Sequence, residues 1–194
     1  MANTSLKKGF RPVCYRSGAP YNGSYNIYYK DATAGIIAVG DPVIRGTDSS
    51  DPEGYPECVR ATTDGAITGV VVGVVPTLAR IDQPRHLLAA DVGYLMVADD
   101  PNLLFEVQDN GGATGIAITN IGQHVDSVTA LDADIVLGYS KFEIDTESLA
   151  TGNTWRIEKL VKRADNAVGA NAKWLVSANL HTEVNASATN LTEI

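Results

Sequence analysis

The sequence predicts an all-β protein, a barrel- or sandwich-like body built from short strands. Three observations carry that expectation. Val, Ile and Thr, at 19, 13 and 16 residues, make up about a quarter of the 194-residue chain, and β-branched side chains suit a pleated sheet. Eighteen glycines supply turns. Short apolar stretches recur between clusters of Gly, Pro, Asp and Asn, the spacing of strands joined by loops rather than of alternating strands and helices.

In chain order the stretches are Gly35–Val39, Val43–Arg45, Cys58–Thr62, Ile67–Val75, Val92–Ala98, Leu103–Gln108 and Val136–Ile144. Leu103, Phe105 and Val107 share one strand face and Leu104, Glu106 and Gln108 the other, the alternation of a half-buried strand. Val92–Ala98 is apolar on both faces, which predicts a strand deep in the barrel or beneath a neighbouring subunit. Gln83–Ala90 is expected to form no more than one or two short helical turns.

A hairpin closes the body. Trp155, Ile157 and Val161 alternate with polar neighbours, as do Trp174, Val176 and Leu180. Pairing Val161 with Trp174, Ile157 with Ala178 and Trp155 with Leu180 puts both apolar sets on one face. The connecting loop, 163–172, contains Asp165-Asn166 and Gly169. Residues 34–181 are therefore expected to be a single β-rich body, and 182–194, rich in Asn, Thr and Ala, a tail.

Charge divides the chain. The formal net charge is −8, which argues against nucleic-acid and membrane partners, since both recruit clustered Lys and Arg. Residues 1–30 nevertheless carry Lys7, Lys8, Arg11, Arg16 and Lys30 and no acid, making them +5 and leaving −13 for the rest. Five of the eight tyrosines, Tyr15, Tyr21, Tyr25, Tyr28 and Tyr29, fall in the same region. Residues 1–33 thus read as an extended basic, Tyr-rich arm, a composition enriched where proteins meet. The opening residues have no apolar stretch after Lys7-Lys8, so no secretory signal is expected. The longest apolar run, Ile67–Val75, is too short to span a bilayer. Cys14 and Cys58 are expected to be free thiols of a protein made in the cytoplasm.

Catalytic patterns are few. His86, His124 and His181 form no metal-spacing motif, so neither a cofactor nor a metal is expected. Asp99-Asp100-Pro101-Asn102 reads as a turn, because adjacent strand-end residues point to opposite faces and Asp-Pro-Asn favours turns. Asp132 and Asp134 form a D-x-D too sparse in ligands for a hard cation. Asp109-Asn-Gly-Gly is only loosely like a calcium loop.

Several of these segments form a familiar ordered series: Gly40-Asp41-Pro42-Val43, Gly69–Val75, and Tyr94-Leu-Met-Val-Ala-Asp-Asp-Pro-Asn-Leu-Leu-Phe-Glu-Val-Gln108. Trp155-Arg-Ile, Asp165-Asn-Ala-Val-Gly169, Asn171–Val176 and Asn179-Leu-His181 then follow. Over roughly residues 35–181 the chain resembles the capsid decoration (cement) proteins of tailed bacteriophages. The resemblance implies a homotrimer on the capsid exterior of the virion, at three-fold and quasi-three-fold axes, clamping adjacent copies of the major capsid protein. It transfers no catalytic residue. The basic arm would then supply much of the capsid contact. Two alternatives remain: a virion-surface carbohydrate- or host-binding β module, and a small trimeric hydrolase with a shared site drawn from Asp99, Asp100, Asp132 and His86.

Overall fold

A computed structural model describes residues 3–78, 85–112, 115–128 and 133–184. Two five-stranded antiparallel sheets dominate them. The first runs β1 (Arg11–Tyr15), β9 (Leu103–Gln108), β14 (Lys173–Ala178), β13 (Trp155–Leu160) and β10 (His124–Val125). The second runs β2 (Asn26–Lys30), β8 (Gly93–Ala98), β6 (Gly69–Val74), β4 (Pro42–Arg45) and β5 (Cys58–Arg60). Two short pairs join β3 (Ile37–Ala38) to β7 (His86–Leu87) and β11 (Ser127–Val128) to β12 (Glu143–Ile144). The all-β expectation holds. Among the described residues no helix is long and apolar enough to cross a membrane.

The second sheet curls until its edges meet. Tyr29 of β2 bridges Glu57 in parallel, just before β5, and donates its N–H to Pro56 O at 2.9 Å. Inside the curl, Tyr28, Val43, Cys58, Val71, Leu95 and Val97 pack with Ile37 and Leu87 from the β3–β7 pair. The opposite face offers Val70 and Ala98 to a larger core shared with the first sheet, where Phe105, Trp155, Ile157, Trp174 and Val176 meet Phe10 and Phe142. In the stretch Val92–Ala98, which is apolar on both faces, Leu95 and Val97 pack in the inner core and Ala98 in the outer one, while Tyr94 and Met96 are half-buried and Val92 is exposed. A bulge between Val71 and Gly73 breaks the alternation of β6 and brings Val74 to the inner core after Val70 has faced the outer one. The Asp99–Asn102 turn joins β8 to β9 and so carries the chain from one sheet to the other.

The C-terminal hairpin forms with its tryptophans inward; both are fully buried. Its register differs from expectation. Trp155 faces Ala178, Ile157 faces Val176 and Leu160 faces Trp174, with an irregularity between Ile157 and Lys159. Strict alternation made Val161 and Leu180 anchors. The bulged Glu158 shifts the period by one, so Leu160 packs against the core, while Val161 and Leu180 lie beyond the strand ends. Asn166 locks the loop, donating to Val161 O and Lys173 O at 2.8 and 2.9 Å and accepting from Lys173 N–H at 2.8 Å. Trp155 stacks on Phe10 with ring centroids 4.1 Å apart. Trp174 donates its indole N–H to the buried Asp109.

Three further expectations change. Val136–Ile144 is not one strand: 134–139 is a turn held by Asp134, whose Oδ1 accepts the N–H groups of Val136 and Leu137, and only Glu143–Ile144 pairs as a strand. In the stretch expected to turn helically, His86–Leu87 is a strand opposite Ile37–Ala38; Gln83 and Pro84 lie outside the described residues. Residues 1–33 are not set apart from the body, because β1 is an edge of the first sheet and β2 of the second. Cys14 and Cys58 are free, and burial pushes the Cys58 thiol up to about 12. Most of the expected tail, 185–194, lies outside the described residues.

Candidate binding surface

The segment 6–12 crosses the body along a seam that only glycine permits. A Cβ on Gly9, whose φ is +66°, would stand 2.3 Å from Ser140 Cβ, and one on Gly40, at +93°, would stand 2.6 Å from Lys8 O. Phe10 N–H closes the seam by donating to Gly40 O at 2.9 Å. This close approach seats Phe10 against Trp155 and leaves Lys8 and Arg11 exposed on either side of it.

Two clefts flank the segment. The larger, of 420 Å³, has an apolar floor that includes Phe10, Val39, Val71 and Val72, with Lys8, Arg11, Arg85, Tyr21 and Tyr139 around it. The smaller, of 160 Å³, shares Lys8 and Arg11 and adds Arg163 and Lys173. Five basic side chains therefore line the pair of clefts, against one acid among the described lining residues, Glu106. Glu106 serves two guanidiniums, with Arg11 at 2.9 Å and Arg163 at 3.0 Å. Tyr139 is held between cations. Arg85 hydrogen-bonds its hydroxyl and lies 5.1 Å from its ring centre, and Lys8 Nζ lies 5.6 Å from the same centre. The backbone fixes this arrangement: Val39 N–H donates to Arg85 O and Ser140 N–H to Val39 O, both at 2.9 Å.

Of the ten arm residues expected to form a contact surface, the structure brings Lys8, Arg11 and Tyr21 together here. Lys7 pairs with the buried Glu143 at 2.5 Å. Arg16 reaches Glu158 at 3.1 Å and Ser177 Oγ at 2.6 Å. Tyr15 is half-buried against the main core, and Tyr25 is exposed. Tyr28, Tyr29 and Lys30 are buried, which removes them from any contact surface. Lys30 Nζ donates to Asp31 O, Ala89 O and Asp91 O at 3.0, 3.2 and 2.9 Å, and its burial lowers the ammonium pKa. Sequence reasoning missed Arg85, Tyr139, Arg163 and Lys173. The two at the hairpin ends belong to a visible basic run around residues 159–173, but Arg85 and Tyr139 stand alone in sequence and only the fold joins them.

Of the residues weighed for hydrolysis, Asp99, Asp100 and His86 are described. Asp99 accepts from Asn26 Nδ2 and from Tyr28 OH at 2.9 Å, and Asp100 caps Asn102 N–H. His86 is buried in β7, and that burial lowers its pKa. Asp132 lies outside the described residues. Asp109, in the calcium-like loop, is a buried acceptor for Gly111 N–H, Asn171 N–H and the Trp174 indole, and burial raises its pKa. Among the described residues no cluster of three or more His, Cys, Asp or Glu could hold a metal ion. Both tryptophans being buried, an aromatic sugar platform would have to come from tyrosines.

The chain matches no protein-family model, no curated protein and no solved structure.

Proposed function

We propose that the chain is a structural virion protein that binds the outer face of a tailed-phage capsid and acts by binding alone. In this reading it sits as a homotrimer at three-fold and quasi-three-fold axes and clamps adjacent major capsid proteins. Each bound copy adds contacts that local opening of the shell would have to break, so binding stabilises the shell against DNA pressure by mass action. The observation that carries the reading is the basic, tyrosine-bordered pair of clefts on a chain of net charge −8. A local positive face on an acidic protein suits an acidic protein surface and leaves the remaining acidic surface toward solvent. The ordered series of segments from Gly40 to His181 supports the same reading.

The test is co-sedimentation of the full chain with tailed-phage capsids assembled without it. Saturable binding that weakens as salt rises, together with a trimer mass in light scattering, is the expected result. Absence of binding at low salt would overturn the proposal. Deleting residues 1–30 is a poor test, because it removes β1, Phe10 and β2 along with the charge.

A further inference from the structure

Resting on that reading, we propose that the larger cleft receives one aromatic or large aliphatic side chain from an extended acidic segment of the partner protein. The carboxylates flanking that anchor meet Lys8, Arg11 and Arg85 at the rim, and the segment continues toward Arg163 and Lys173 in the smaller cleft.

The cleft itself defines the anchor. Its floor of Phe10, Val39, Val71 and Val72 offers nothing to a charged group, while its rim offers three cations and two tyrosines. An apolar side chain with acidic neighbours satisfies both zones at once. A volume of 420 Å³ accommodates a side chain of that size. Burying it supplies affinity, and the rim charges supply orientation and speed of encounter.

The mode of binding follows from β1. A sheet edge beside a cleft commonly captures a peptide as an added strand. Here the chain's own return covers that edge: Tyr15 N–H donates to Ala19 O at 2.8 Å and Tyr21 N–H to Val13 O at 3.0 Å. Backbone pairing is taken at Val13 and Tyr15, and Pro12, which lines the cleft, has no N–H to offer, so recognition falls to side-chain insertion. A single-stranded nucleic acid fits less well, because base stacking needs an open aromatic face and Lys8 and Arg85 already lie against Tyr139.

The probes are two labelled peptides, Glu-Asp-Phe-Asp-Glu and Glu-Asp-Gly-Asp-Glu, followed by fluorescence anisotropy with the full chain. The Phe peptide is expected to bind at least about tenfold more tightly than the Gly peptide, consistent with burial of one aromatic side chain. That ratio should survive added salt while both affinities fall. The double variant Lys8→Ala/Arg85→Ala, both exposed positions, gives up the cation contacts with Tyr139 and should lower the thermal midpoint by only about 2–4 °C, while losing at least about tenfold in Phe-peptide affinity, as for charged partners lost at an interface. Equal affinity for the two peptides, no binding, or tighter binding of a thymidine oligonucleotide would each overturn the inference. The two proposals fail separately. Capsid binding unchanged in the double variant removes the cleft and keeps the capsid role; peptide binding without capsid binding does the reverse.

Discussion

Residues 6–16 and residues 26–30 both mix basic with aromatic side chains, and each contributes an edge strand, β1 to one sheet and β2 to the other. Their charges end in opposite places. In the first, Lys7, Lys8, Arg11 and Arg16 stay exposed and border the clefts or meet acids of the body. In the second, Lys30 is fully buried beneath three carbonyl oxygens, with Tyr28 and Tyr29 beside it. A single count of +5 therefore merges two kinds of charge. Four of the five charges are available to a partner or to the chain's own acids; the fifth is a structural clamp that ties β2 to the 89–91 turn.

The largest expected effect follows from that clamp. Lys30→Met keeps the side-chain length but removes the buried donor from three partly buried carbonyls, and should cost about 2–3 kcal/mol in urea unfolding. Lys8→Met, on the exposed side of the comparison, should stay within about 0.5 kcal/mol. Similar losses at the two positions would erase the distinction between the halves. A smaller contrast lies in the tyrosines. Tyr28→Phe forfeits a half-buried bond to Asp99 and should cost about 1 kcal/mol, whereas Tyr25→Phe, at an exposed ring, should be close to neutral. Thermal midpoints of the two variants measured side by side would check the ordering.

The same contrast marks how far the sequence could be read. Strand placement was legible because apolar stretches and turn residues are local signals; Leu103–Gln108 is a strand over its whole expected length, and both hairpin tryptophans face inward as their alternation requires. What was not legible depended on breaks in period or on distance along the chain. The bulge at Glu158 exchanges Val161 for Leu160, and no composition marks it in advance. Val136 and Leu137 read as strand because they are aliphatic, yet they are exposed, since Asp134 ties the backbone there into a turn. Lys30 and Lys8 look alike in sequence; which one is buried depends on the turn at 89–91 reaching across to β2. Three residues of the candidate site, Lys8, Arg11 and Tyr21, lay in a segment whose composition drew attention to it. Arg85 and Tyr139 join it only through Val39, whose N–H donates to Arg85 O and whose carbonyl accepts from Ser140, the neighbour of Tyr139.

Alkaline pH offers the finest separation within the buried half, because two residues of one strand respond with opposite sign. Burial lowers the pKa of Lys30 from its ordinary 10.5. Between the folded value and 10.5 the unfolded chain holds more protons, so the contribution of Lys30 grows as pH rises through that window and is complete above 10.5. Tyr28 is the reverse. Burial first, then the charge and hydrogen bond of Asp99, raise its phenol above the ordinary 10.0, so its contribution is complete below 10 and declines as pH climbs past it. Cys58, Tyr21 and Tyr94 also carry raised values and shape the profile of the whole protein, so the comparison has to be made by difference. In urea unfolding from pH 8 to 11, the deficit of Lys30→Met relative to the native chain should widen with pH, while that of Tyr28→Phe should narrow above pH 10. Parallel deficits across the range would mean that Lys30 and Tyr28 titrate alike in the folded and unfolded chain, and that the burial separating this half from residues 6–16 does not reach their ionisable groups.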